Sequence, residues 1–140
     1  MTVAQKKSYG QGDATYIAAG QELGVRRIVE RFFDNMRDDK RYQRIWDWHP
    51  QDNAISRDKL ARFLCGWMGG PKIYQEKYGT IHIPRVHSRL PVTAIERDMW
   101  LNCMRDALED LDYPDDFVDY LMAQLSIPAE RIRQVCTRHG

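Results

Sequence analysis

The chain has 140 residues, 21 basic against 20 acidic side chains and 43% hydrophobic residues, which suits one globular domain large enough to enclose a small ligand. Charge this close to balance gives no electrostatic footprint for nucleic acid or an anionic membrane, and no apolar run approaches the roughly 20 residues of a membrane span. Cys65, Cys103 and Cys136 lie far apart in helical patterns, so they read as reduced thiols of a cytoplasmic protein rather than as a disulfide framework or a zinc ribbon.

Residues 1–12 are polar, contain Gly10 and Gly12, and lack an apolar signal core; they read as a flexible extension to a single domain over 13–140. Beyond them helical periodicity runs almost throughout and strand alternation is almost absent, so the class is all-α. Asp13 is placed to cap a short helix, ATYIAA, ended by Gly20. A long amphipathic helix follows over 21–39, with Val25, Ile28, Val29, Phe32, Phe33 and Met36 as its apolar stripe. Gly24 inside it costs about 1 kcal/mol against Ala, which suggests either a close helix crossing or a cost absorbed by packing elsewhere. Residues 40–47 read as a short helix and WDWHPQDNAI as a loop broken by Pro50 and Asn53. Ser56 is placed to cap the next helix, which Gly69, Gly70 and Pro71 end. Residues 72–92 are irregular, with short helical turns around Tyr74–Tyr78 and near His87. Thr93 and Glu96 form a capping-box pattern that opens a helix to about Leu111. Pro114, Asp115 and Asp116 suit the start of a last helix, and Pro128 inside it is expected to kink or split it, with Ser126 as a second cap.

No nucleophile elbow is present, and Gly69-Gly70-Pro71-Lys72 lacks the spacing of a phosphate loop. The carboxylates are scattered over helix faces as solvated charge. His82 and His87 are five residues apart and do not share a helix face as paired metal ligands would. A lone loop histidine is more often structural than functional. His87 stands out through its surroundings: imidazole is the common axial ligand of haem iron, and Phe32, Phe33, Leu60, Phe63, Leu64, Leu90 and Trp100 offer apolar walls. Each of these, taken singly, is ordinary core.

Three motifs occur together: FL-x-x-W-x-GGP-x-x-Y at Phe63–Tyr74, His87, and ERD-x-W-L-x-CM at Glu96–Met104. With them the chain, from about Ala14 to Val135, resembles the group II truncated haemoglobins, the shortened two-over-two helical globins. The resemblance implies haem b as cofactor, His87 as the iron ligand and Trp100 as a distal indole N–H donor. It places Ser56 and Leu60 at the start of the distal helix, Phe63 and Leu64 at the haem edge, and Lys72, Tyr74 and His82 near the haem rim or propionates. It implies reversible binding of O2, NO and CO. NO-dioxygenase or peroxidase-type chemistry would need electrons from a separate reductase, since no flavin or nicotinamide domain is present.

The chain departs from the family pattern in three places. Phe33 stands where the family usually has Tyr, so it cannot donate a hydrogen bond. The loop after it is longer, leaving Trp46, Trp48 and His49 as alternatives for the distal loop position. The early glycine pair is reduced to Gly20-Gln21. His49 is in addition a candidate sixth iron ligand, though an ordinary exposed histidine before Pro50 fits its sequence as well. A haem-free helical binding module is the rival of a different class, in which His87 and Trp100 are plain core.

Overall fold

The computed structural model describes residues 8–80 and 92–139, the stretch from 135 onward as backbone. In chain order they form α1 (Ala14–Ala19), α2 (Gln21–Asp38), a 3-10 turn (Lys40–Tyr42), α3 (Gln43–Trp46), α4 (Ala54–Trp67), α5 (Ile73–Tyr78), α6 (Ala94–Asp110) and α7 (Asp115–His139). There is no strand among the described residues, and no described helix is long and apolar enough to cross a membrane.

The stripe on α2 explains the assembly. Its apolar side chains recur at three- and four-residue spacing, so they share one face, and Val25, Ile28, Val29, Phe32, Phe33 and Met36 are all buried. That face packs on α4 and α6, and α6 in turn packs on α7. Leu64 and Cys65 on α4, Met104 and Leu108 on α6, and Phe117 and Leu121 on α7 complete the core. Each large apolar side chain so buried contributes about 1.5–3 kcal/mol against leaving it in water.

Gly24 has the close crossing that its helix-breaking character suggested. A Cβ there would collide with the Ala19 carbonyl oxygen and sit 3.4 Å from the Tyr113 hydroxyl. That hydroxyl donates to the same Ala19 carbonyl, so α1, α2 and the turn before α7 meet where no side chain fits. At the far end of α4, Gly69 has φ +92°, and a Cβ there would collide with the Gly12 carbonyl. Residues 8–12 are held by side chains: Tyr9 meets the Phe117 ring edge-on at 5.7 Å, and the Gly10 N–H donates to Thr15 Oγ1.

The capping box at Thr93 and Glu96 forms as the pattern implied. Four other end signals behave differently. Asp13 occupies the N-cap of α1 but makes no capping hydrogen bond with its side chain. Helix α4 starts at Ala54, ahead of Ser56, with Asn53 at the N-cap; the Asn53 side chain does not cap but accepts from Arg57 Nε at 2.8 Å. Pro128 does not split the last helix. Leu121, Met122 and Leu125 hold the preceding turns against the core, which offsets the roughly 3 kcal/mol cost of an internal proline. Ser126 does not cap a second helix; its hydroxyl donates to the Ala123 carbonyl at 2.6 Å.

Candidate functional site

Helices α2, α3, α4 and α6 converge on a run of aromatic rings. Trp100 of α6 lies 5.2 Å from the Phe32 ring, inclined at 63°. Phe32 meets its neighbour Phe33 at 5.4 Å, and Phe33 meets His49 edge-on at 5.3 Å. Trp46 leans on His49 at 6.5 Å. Leu64 is buried in the core, whereas Leu60, Phe63, Trp46, Trp48 and Trp100 pack on the core yet remain half-buried.

Of the three loop residues left open by the sequence, the fold brings His49 against Phe33. Trp46 supports His49 from behind, and Trp48 packs on the core edge without joining the ring run. His49 Nδ1 lies 2.9 Å from the Ile45 carbonyl oxygen. A carbonyl only accepts, so Nδ1 carries the proton and donates, and in the neutral ring Nε2 carries the lone pair. The Trp100 indole N–H, in contrast, donates to no described residue.

Ser56 is half-buried at the start of α4. Tyr74 packs on Tyr78 at 5.2 Å, and Lys72 is exposed. His82, His87 and Leu90 lie outside the described residues.

Two groups near the site escaped the sequence reading. The Arg57 guanidinium sits 5.2 Å above the Phe33 ring while paired with Glu30 and Asp34. Nothing in the spacing of Arg57 along the chain marked such a role. Asp58, beside it, accepts from Arg26, Arg62, Lys77 and Tyr78 and so joins α2, α4 and α5. The Tyr78 hydroxyl foremost, then Lys77, Arg26 and Arg62, hold its carboxyl well below the usual carboxylate range against the opposing effect of burial. Scattered Asp and Arg residues gave no sign that these four donors would meet.

Burial pushes the Cys103 thiol up to about 12 and the Cys65 thiol up to about 11, so neither is a nucleophile near neutrality. A cleft of about 470 Å³ between α2 and the start of α4 is lined by Arg26, Glu30, Asp52, Arg57 and Asp58. Its charged walls, already paired with one another, do not suit an apolar ring system.

The model of the bacterial-like globin family matches residues 14–133. The chain belongs to the bacterial-like globins. It is similar to the group 2 truncated hemoglobin YjbI of Bacillus subtilis, 28% identical over 120 residues that cover 86% of this chain and 88% of that one. The group II 2-on-2 hemoglobin of Agrobacterium tumefaciens superposes with a TM-score of 0.81 at 27% identity, covering 94% of this globin and 98% of the other chain. The cold-adapted truncated hemoglobin of Pseudoalteromonas haloplanktis gives 0.80 at 27% identity, over 84% and 95% of the two chains. This globin therefore has the two-over-two truncated fold of group II, with α2 and α4 as one helical pair and α6 and α7 as the other.

Family membership implies a haem and the binding of small diatomic ligands such as O2. The described residues fit such a group. Leu60, Phe63 and Trp100 present apolar surface that the protein itself covers only in part, which a planar macrocycle can cover. The Trp100 indole N–H, which donates to no described residue, belongs to the same half-buried group.

Proposed function

We propose that this globin carries haem b with His87 as its iron ligand and binds O2, NO and CO reversibly, with Trp100 as the distal donor. When bound, haem supplies an iron at which such ligands attach and gain partial negative charge. The Trp100 indole N–H carries the reading, because it is a donor beside the aromatic wall with no described residue to accept from it. Phe33 has no hydroxyl, and the His49 Nδ1–H is already held by the Ile45 carbonyl. Trp100 is then the dominant donor to the ligand. A hydrogen bond to a charged acceptor is worth about 1.5–3 kcal/mol, or roughly a tenfold to hundredfold change in release.

Phe32, Phe33 and Leu64 form the floor of the cavity in this reading, and Trp46, Trp48, His49, Ser56, Leu60 and Phe63 its sides. The family resemblance would put Lys72, Tyr74 and His82 toward the haem rim and make Leu90 a further part of the apolar wall. The globin domain spans 13–140. NO dioxygenation or peroxidase-type turnover would draw electrons from a separate reductase in the cytoplasm. An apolar cavity with one strong donor supports ligand retention first, and redox turnover only when that partner is supplied.

Absorption spectra of the purified protein test the reading: ferric, ferrous and ferrous with CO, for wild type and His87→Ala. A haem band in wild type whose axial signature is lost in the variant supports it. A colourless wild type that takes up no added haemin rejects it. Trp100→Phe is expected to speed O2 release about tenfold to a hundredfold; unchanged release removes Trp100 from its role.

A further inference from the structure

Glu96 is a buried carboxylate, 2% exposed, on the core-facing stripe of α6. Its Oε1 accepts from the Thr93 backbone N–H at 2.8 Å and the Thr93 hydroxyl at 2.6 Å. Its Oε2 is the one buried side-chain oxygen among the described residues that accepts no hydrogen bond. What Oε2 faces is Arg44 of α3, with Nε 3.5 Å away. A glutamine would close the same capping box, so the cap alone does not call for a charge. Burying a carboxylate is costly unless an opposite charge answers it. The charge therefore points across to Arg44.

The location gives the pair its consequence. Glu96 lies one helical turn before Trp100, on the same face. Arg44 immediately precedes Ile45, whose carbonyl holds His49. Farther along α6, Asp106 accepts from the Tyr42 hydroxyl at 2.6 Å and from Arg41 at 3.0 Å. Helix α6 is thus tied to the 39–46 corner at two points about 15 Å apart along its axis, with Trp100 between them. Both ties leave the helix from its side, so each opposes rotation of α6 about its axis, and the Glu96 tie does so at the Trp100 end, beyond the stretch that Cys103, Met104, Ala107 and Leu108 pin in the core.

We propose that Glu96 and Arg44 are a positioning pair that sets the Trp100 indole against the Phe32 wall and toward the bound ligand. The proposal rests on the ligand-binding reading above. It assigns a role to residues that do not touch the ligand.

The test uses the haem-loaded protein with Glu96→Gln, which keeps the cap, and Arg44→Met, which keeps the stem. Each is expected to speed O2 release about two- to tenfold, the partial loss of one hydrogen bond, and to shift the stretching band of bound CO. The double variant should do no more than either single, because both remove one interaction. In a Trp100→Phe background neither should move those readings. Arg44→Lys should restore part of the effect. Amide exchange over residues 97–101 is a haem-independent readout, expected to quicken in both single variants whether or not haem is present. Unchanged exchange together with an unmoved CO band overturns the proposal, as does an effect that persists without the Trp100 indole. Failure of the wild type to take up haem would instead sink the ligand-binding reading, and exchange would still decide whether the pair holds α6.

Discussion

Replacing Asp58 by asparagine should show how far one carboxylate holds the helices around the site together. Asp58 Oδ2 accepts from the Tyr78 hydroxyl at 2.6 Å, from Arg62 Nε at 2.9 Å and from Lys77 Nζ at 2.9 Å, and Oδ1 accepts from Arg26 at 3.1 Å. The Asp58 side chain is 19% exposed and that of Arg62 23%, whereas Lys77 is 50% exposed. The sheltered Tyr78 and Arg62 bonds should therefore dominate, at about 1 kcal/mol each, with the solvated Lys77 pair adding a few tenths. Asparagine keeps one accepting oxygen and brings an amide that donates toward groups already donating. A loss of about 2 kcal/mol at neutral pH follows, or roughly 8 °C in melting temperature for a chain of this size.

The pH dependence has a definite sign. The four donors depress the folded-state pKa of Asp58. Its contribution is thus fully present above the unfolded value of about 3.9 and fades as the pH falls below it. Urea unfolding of wild type and Asp58→Asn, compared at matched haem content at each pH, at pH 7 and near pH 3, is the assay. The gap between the two proteins should be clear at pH 7 and narrow in acid. Equal stability at pH 7, or a gap that widens in acid, would refute the reasoning.

Further consequences can be checked in the same preparations. Phe117 is 1% exposed, stacked on Tyr113 at 5.0 Å and met edge-on by Tyr9, so Phe117→Ala should cost about 3–5 kcal/mol in denaturant titrations. Its haem spectrum should persist, since none of these rings belongs to the run that ends at Trp100. The apo protein should melt well below the haem-loaded one, because a ligand bound only by the folded state at a thousand times its Kd adds about 4 kcal/mol; coincident melts in calorimetry would contradict a haem-filled core. Cys65 and Cys103, with thiols pushed up to about 11 and about 12 by burial, should resist alkylation at pH 8 in the folded protein and react once it is unfolded. Mass spectrometry of tryptic peptides reads this directly, and fast labelling of either in the native state would show that the core opens there.

Much of the architecture was legible in one dimension because its determinants are local. The α2 stripe, the Gly20 and Gly69 stops, the Thr93 and Glu96 box and the all-helical class depend on residues within a turn or two of one another, and periodicity reports them directly. The motif at Phe63–Tyr74 and the one around Trp100 were likewise legible, each being a short run with its own spacing. Helix ends were less so. Asn53 and not Ser56 begins α4, and α7 continues through Pro128, because contacts with other helices outweigh local preference by a few kcal/mol. What only tertiary structure decided were the meetings of distant residues: His49 rather than Trp46 or Trp48 against Phe33, Arg57 above that ring, four donors on Asp58, and Arg44 answering Glu96. Single charged residues and loop positions carry no periodic signal. Their partners are set by how α2, α3, α4 and α6 pack, and that packing is a property of the whole buried surface rather than of any stretch of chain.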